Sequence, residues 1–361
     1  MDTDKKLSGI SWQDFKALPL TEKGAYFDGT PPHTLIAQQF SRKKIRDLCA
    51  LATRIKRINK RREGANFLKT LLCDKRAMLY FAQPSSRTYL SFNAACQILG
   101  LDTMDVRDSS TSSEVKGESP EDSVRTFSSY ADMIIMRHPK GGFAERVAWM
   151  MAHTKREIPI LNAGSGADQH PTQALLDIYT LKRSFEKIGG VDGKNIVFVG
   201  DLARGRTVRS LAWLLTLYDD VTLYFVAPES LQIGRDILDL LDAAGTRYVV
   251  TDDFAAVMPD ADAIYMTRIQ DEWDLRGESS SIDTSSFRIG AEHMAVIKDS
   301  AVIMHPLPRR QEISTEIDND PHAVYWRQMR NGMWIRAALI LTTFGRQDEV
   351  NRYYDDYKPE Q

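Results

Sequence analysis

The stretch Ile196-Val197-Phe198-Val199-Gly200-Asp201-Leu202-Ala203-Arg204-Gly205-Arg206-Thr207 reads as a strand, a turn and the opening of a helix. Four consecutive apolar residues, β-branched or aromatic, suit a strand covered on both faces. The helix that follows is expected over 206–218. No G-x-G-x-x-G fingerprint occurs here, so a dinucleotide site is not expected. Toward the C-terminus the same unit recurs, with strands expected at Thr222–Val226, Tyr248–Thr251, Ala263–Met266 and Ala301–Met304. Upstream, Gly189-Gly190 and Asp192-Gly193 mark a turn after a helix at 171–184. Earlier strands are expected at Ala77–Ala82, Ala131–Met136 and Ile158–Asn162. Helices at Thr88–Leu99 (stopped by Gly100), Glu121–Tyr130 and Phe143–His153 lie around them. Ser41 is a candidate N-cap for a helix carrying Ile45, Leu48, Cys49, Ala52 and Ile55 at spacings of three and four.

Strand–helix alternation specifies an α/β protein of two doubly wound domains, each a parallel sheet with helices on both faces. The expected divisions are an N-terminal extension at 1–33, packed on a domain surface, and a first domain at 34–170. A second domain follows at 171–325, its first 20 or so residues (171–190) an interdomain helix. Residues 326–361 supply a C-terminal helix returning to the first domain and a charged tail.

The chain has 361 residues, 47 of them Lys or Arg and 49 Asp or Glu, for a formal charge of −2. That balance argues against nucleic acid or an anionic membrane as partner. The longest apolar stretches, such as Leu211–Tyr218 and Ile335–Leu341, are far shorter than the ~18 residues a membrane span needs. Cys49, Cys73 and Cys96 form no C-x-x-C pair and read as thiols in a reducing compartment. With no signal or transit pattern at Met1–Lys6, the expected location is cytoplasmic.

In doubly wound sheets, ligands bind beyond the carboxyl ends of strands, and the candidate residues fall there. Pro84-Ser85-Ser86-Arg87-Thr88 joins a strand to a helix. Hydroxyls and a guanidinium at a helix N-terminus suit phosphate; a serine-rich N-cap beside an exposed arginine is the competing reading. Ser109–Ser113 followed by Glu114-Val115-Lys116-Gly117-Glu118 reads within one chain as a solvated loop. Arg137 ends a strand, with a surface ion pair as its alternative. His170 stands at the mouth of a helix beginning near Pro171, with Gln173 one turn along. Arg206, then Arg268 and Gln270, follow strands of the second half and suit a second anion bearing carboxylates. His305-Pro306-Leu307-Pro308-Arg309 follows another strand, and its prolines leave backbone carbonyls as acceptors. No metal cluster, acidic dyad, nucleophilic triad or P-loop is apparent. The implied chemistry is positioning and electrostatic catalysis on a phosphate-bearing substrate, without a cofactor or covalent intermediate.

In this order and at these intervals the motifs resemble the aspartate carbamoyltransferases, from about Leu35 to Gly345. The distinctive stretches are Leu161-Asn162-Ala163-Gly164, His170–Asp177 (H-P-T-Q-A-L-L-D), Tyr265–Gln270 (Y-M-T-R-I-Q) and His305–Arg309. Pro306 stands where ornithine enzymes typically carry cysteine. The resemblance implies that 34–170 binds carbamoyl phosphate and 171–325 binds aspartate. It assigns Ser85, Ser86, Arg87 and Thr88 to the phosphate, and Thr88, Arg137 and His170 to the carbonyl oxygen. Gln173 and the backbone of Leu307 and Pro308 would take the carbamoyl amide, and Arg206, Arg268 and Gln270 the aspartate carboxylates. It also implies a homotrimer in which Ser112 and Lys116 enter a neighbour's site. Four positions depart from the family pattern: Ser86 replaces a threonine and keeps the hydroxyl, Gln83 replaces a glutamate, Trp273 an arginine and Ala203 a lysine. The rival readings are a carbamoyltransferase with another amine acceptor and a weakly active trimeric scaffold. A regulatory chain is not legible.

Overall fold

The computed structural model describes residues 5–107, 117–166, 169–269 and 285–357. They fall into two compact units, Met1–Leu175 with Gly332–Gln361, and Leu176–Asn331. The expected divisions at 170/171 and 325/326 thus compare with divisions at 175/176 and 331/332, inside two helices.

Along the first unit run α1 (Trp12–Ala17), α2 (Leu20–Lys23), α3 (Arg42–Ile58), α4 (Arg62–Thr70), β1 (Arg76–Phe81), α5 (Ser86–Leu99), β2 (Asp102–Val106), α6 (Pro120–Phe127), β3 (Met133–His138), α7 (Phe143–Met151) and β4 (Ile160–Ser165). Then α8 (Pro171–Ser184) leads to the second unit's β5 (Asn195–Val199), α9 (Arg206–Leu215), β6 (Thr222–Val226), α10 (Arg235–Ala244), β7 (Arg247–Thr251), α11 (Phe254–Val257), β8 (Ala263–Met266) and β9 (Val302–Met304). The chain closes with α12 (Tyr325–Thr343) and α13 (Gln347–Tyr357).

Among the described residues both sheets are wholly parallel, ordered β2-β1-β3-β4 and β7-β6-β5-β8-β9. In β1, Met78 and Tyr80 join the apolar cluster on one face, and Ala77, Leu79 and Phe81 are as deeply buried on the other. In β5, Val197 and Val199 face one cluster while Ile196 and Phe198 are buried opposite, Phe198 stacking on Phe225 at 5.5 Å. Central strands with both faces covered are therefore continuous apolar runs, which is why they were readable. Edge strands β2 and β7 are half-exposed, with mixed sequences, and β2 escaped the sequence reading altogether. Ser41 caps α3 as expected, its hydroxyl accepting from the Lys44 N–H.

The extension goes deeper than surface packing. Leu7, Phe15 and Phe27 are buried in one cluster with Tyr80, Met136 and Val147. The Trp149 indole N–H donates to the Ile10 carbonyl at 2.8 Å. At its end, His33 Nδ1 accepts from the Ile160 N–H at 3.1 Å, and Thr34 bridges Leu161 in parallel. Phe15→Ala should therefore cost about 3 kcal/mol, seen as a lowered urea midpoint for the first unit by tryptophan fluorescence; an unchanged midpoint would place the extension outside the core.

Candidate functional site

In the first unit, parallel register decides which residues meet. Phe81 pairs with Arg137, and Met136 with Asn162, so the loops after β1, β3 and β4 emerge on one edge. The strand order reverses between β1 and β3, the place where such sheets bind ligands. After β1, the Gln83 N–H donates to the Arg137 carbonyl at 3.2 Å, tying one loop to the next strand. Ser85 precedes α5 with extended backbone, and its hydroxyl donates to Thr88 Oγ1 at 3.1 Å instead of capping the helix. Ser86 and Arg87 are exposed, Thr88 is buried, and no acidic residue sits in the first turn of α5. The positive end of the helix dipole thus meets four side-chain donors, with no acid of its own first turn to offset it.

Arg137 is buried and donates from Nη1 to the Ala163 carbonyl at 3.2 Å. The reason it fits is Gly164, at φ +120°: a β-carbon there would lie 2.7 Å from Arg137 Nη1 and 3.4 Å from His170 Cδ2. One glycine therefore lets a guanidinium and an imidazole pack over the same backbone atom. Asn162 shapes that turn. Its Oδ1 accepts from the Gly164 N–H at 2.8 Å, and its Nδ2 donates to the Leu35 carbonyl and to Ser165 Oγ. Ser165 and Gln169 pair as an antiparallel bridge, and Gln169 Oε1 accepts from the Ala37 N–H. His170, Pro171 and buried Gln173 then open α8, whose first turn also lacks an acid. The His170 carbonyl accepts from the Gln173 and Ala174 N–H groups, as expected of a residue at the helix entrance. His138, next to Arg137, stacks on Phe143 at 4.0 Å, and burial pushes its pKa down to about 4. It is neutral near pH 7 and accepts from the Lys140 N–H.

In the second unit the order reverses between β5 and β8, and candidate residues follow these strands. Gly200, at φ +111°, lies so close to Thr267 that a β-carbon would stand 2.2 Å from the Thr267 carbonyl oxygen. Arg206 is buried and opens α9, again with no acid in the first turn. Ala203 is exposed, its N–H donating to the Leu231 carbonyl. Arg268 follows β8 and donates from Nη1 to the Ile269 carbonyl at 2.8 Å.

The 305–309 loop after β9 is held at both ends. His305 is fully buried; its N–H donates to Gln328 Oε1 at 2.9 Å. Its Nδ1 accepts from the Leu307 N–H at 2.7 Å, which puts the ring proton on Nε2, facing Glu312 Oε1 at 2.7 Å. Burial lowers the imidazole pKa despite Glu312, so the ring is neutral near pH 7. Arg309 pairs in a two-pronged fashion with Asp318, which also accepts from the Tyr325 hydroxyl. Between these anchors Leu307 has φ +55°, a left-handed conformation that costs a non-glycine residue about 1 kcal/mol.

Ser85–Thr88, Arg137 and His170 thus follow β1, β3 and β4 on one sheet edge of the first unit, with Arg137 and His170 together at Gly164 and Gln173 in the first turn of α8, while Arg206, Arg268 and Leu307-Pro308 follow strand ends of the second. Ser112, Lys116, Gln270 and Trp273 lie outside the described residues. Asp177, Gln328, Glu312 and Asp318 were missed. Asp177 Oδ1 accepts from Gln328 Nε2 at 2.7 Å and its Oδ2 from the Tyr265 hydroxyl at 2.8 Å, and no local pattern announces partners 151 and 88 residues away. Among the described residues, no group of three or more His, Cys, Asp or Glu could hold a metal ion, and no helix is long and apolar enough to cross a membrane.

Chemically, each unit presents cations and helix N-termini at a switch point, a design for small anions. The aspartate/ornithine carbamoyltransferase carbamoyl-P binding domain model matches residues 32–183, and that family's Asp/Orn binding domain model matches 192–343. The chain is 38% identical over 343 residues to aspartate carbamoyltransferase 1, chloroplastic, of Pisum sativum, covering 94% of this chain and 85% of that one. It is 42% identical over 261 residues to the aspartate carbamoyltransferase catalytic subunit of Vibrio cholerae, covering 72% and 82%. Aspartate transcarbamoylase from Trypanosoma cruzi, solved with N-(phosphonacetyl)-L-aspartic acid, superposes with TM-score 0.76 at 38% identity, covering 85% of this chain and 94% of that one.

Gly164→Ala should push the Arg137 guanidinium off its seat and weaken carbamoyl phosphate binding about tenfold by calorimetry. Unchanged affinity would separate Arg137 from the anion site.

Proposed function

The chain belongs to the aspartate/ornithine carbamoyltransferase family, and we infer that it transfers the carbamoyl group of carbamoyl phosphate to the amine of L-aspartate. The products are N-carbamoyl-L-aspartate and phosphate, a step of pyrimidine synthesis. The observation that carries the reading is the packing of Arg137 and His170 over Gly164, beside the α5 N-terminus. Relatives support it: Trypanosoma cruzi aspartate transcarbamoylase has been solved with carbamoyl phosphate and aspartate, at 37% identity and TM-score 0.73 over 85% of this chain.

In this reading Ser85, Ser86, Arg87 and Thr88 hold the phosphate. Thr88, Arg137 and His170 polarise the carbonyl oxygen. Gln173 and the carbonyls of Leu307 and Pro308 accept or position the carbamoyl amide, while Arg206, Arg268 and Gln270 hold the two aspartate carboxylates. The neutral aspartate amine attacks the carbonyl carbon, forming a C–N bond and a tetrahedral oxyanion. Collapse breaks the C–O bond to phosphate, and the departing phosphate takes the amine proton. One charge pair at about 4 Å in an effective dielectric of ~20 is worth roughly 4 kcal/mol. Contacts to the oxyanion that strengthen from ground state to transition state therefore supply much of the acceleration.

The working assembly in this reading is a cytoplasmic homotrimer. Ser112 and Lys116 act in a neighbouring subunit's site. Steady-state assays with carbamoyl phosphate and a panel of amino acids test the acceptor, with aspartate expected to be preferred; absence of turnover with every acceptor would refute the enzyme. Arg87→Ala should abolish turnover. Mixing inactive Lys116→Ala chains with inactive Arg87→Ala chains should restore part of the activity, and mixed trimers without rescue would reject shared sites.

A further inference from the structure

We propose that His305 is a positioning residue for carbamoyl transfer, setting the Leu307 and Pro308 carbonyls through a hydrogen bond from the Leu307 N–H. The inference rests on the reading that those carbonyls meet the carbamoyl amide. Its geometry is independent of that reading.

Leu307 occupies the left-handed region, φ +55°, and a non-glycine residue stays there only where its surroundings hold it. His305 supplies the local hold, because Nδ1 accepts from the Leu307 N–H at 2.7 Å. The ring cannot turn away. Nε2 faces Glu312 Oε1 at 2.7 Å, and the same oxygen accepts from the Arg310 N–H at 3.0 Å. Nor can the backbone beneath it shift, since the His305 N–H is bound to Gln328 Oε1, and Gln328 Nε2 to Asp177. The imidazole thus has one task on each nitrogen: Nδ1 fixes the loop, and Nε2 fixes Nδ1. Downstream, the Arg309–Asp318 pair prevents the loop from relaxing at its other end.

The contact from a side-chain acceptor at one position to the N–H two residues on is one that asparagine makes readily. Glutamine carries its carbonyl one carbon too far for that turn, although it reaches toward Glu312. This separates the loop-setting role of Nδ1 from a mere need for a buried polar side chain. The phosphate ligands Ser85–Thr88 belong to the other unit, so inorganic phosphate reports a site that His305 does not shape.

The test is steady-state kinetics on the full-length protein with carbamoyl phosphate varied and inorganic phosphate as competitive inhibitor. His305→Phe should lower kcat/KM for carbamoyl phosphate about 30-fold, the effect of one partly buried donor left without its acceptor, while phosphate inhibition stays within about twofold. His305→Asn should recover to within about fivefold of wild type, and His305→Gln should stay near the Phe variant. If the Phe variant fails to fold, the Asn–Gln contrast decides. Asn no better than Gln, or phosphate inhibition weakened in step with kcat/KM, would overturn the positioning role while leaving the activity standing. Wild-type protein inert toward carbamoyl phosphate would overturn the underlying reading and this inference with it.

Discussion

A β-carbon at residue 164 would stand 2.7 Å from the Arg137 guanidinium, and the first unit's site depends on its absence. Arginine and histidine repel when both are charged, and neither packs easily against a crowded backbone. A glycine at positive φ removes the steric barrier and lets β4 turn back toward α8. The turn is then held by side chains with nothing catalytic to do: Asn162 on Gly164 and Ser165, and Gln169 on Ala37. Pre-organisation here is the work of buried amides.

The second unit solves a similar problem differently. Its 305–309 loop has no glycine, so the left-handed Leu307 must be held by partners at both ends. Those partners lie on separate elements, α8, α12 and the segment after β9, and converge on the loop through Asp177, Gln328 and Glu312. Such a network is rigid because Asp177, Gln328 and His305 are fully buried, Glu312 is largely so, and each is hydrogen-bonded, so removing one leaves several groups without partners.

Much of this was legible in the chain. Central strands were readable because burial on both faces demands uninterrupted apolar runs, and Ser41 and Gly100 marked helix ends by chemistry that acts over three or four residues. The candidate ligands were legible because they cluster in short motifs at strand ends. Edge strand β2 was not, since a half-exposed strand mixes polar and apolar residues. The extension misled for a related reason: Leu7, Phe15 and Phe27 lie far apart in a polar segment, and only the sheet they cover gathers them into one core.

The sequence by itself determined the alternation of elements, the doubly wound class and the set of candidate anion-binding groups, because these depend on local periodicity and on which side chains carry charge. Only the tertiary structure decided which groups meet. Register between parallel strands placed Arg137 beside Phe81, a close approach at Gly164 brought it to His170, and hydrogen bonds spanning 151 residues fixed the loop around Leu307. These are relations across the chain, set by packing density and by the need to satisfy buried polar groups, and no local pattern of residues encodes them.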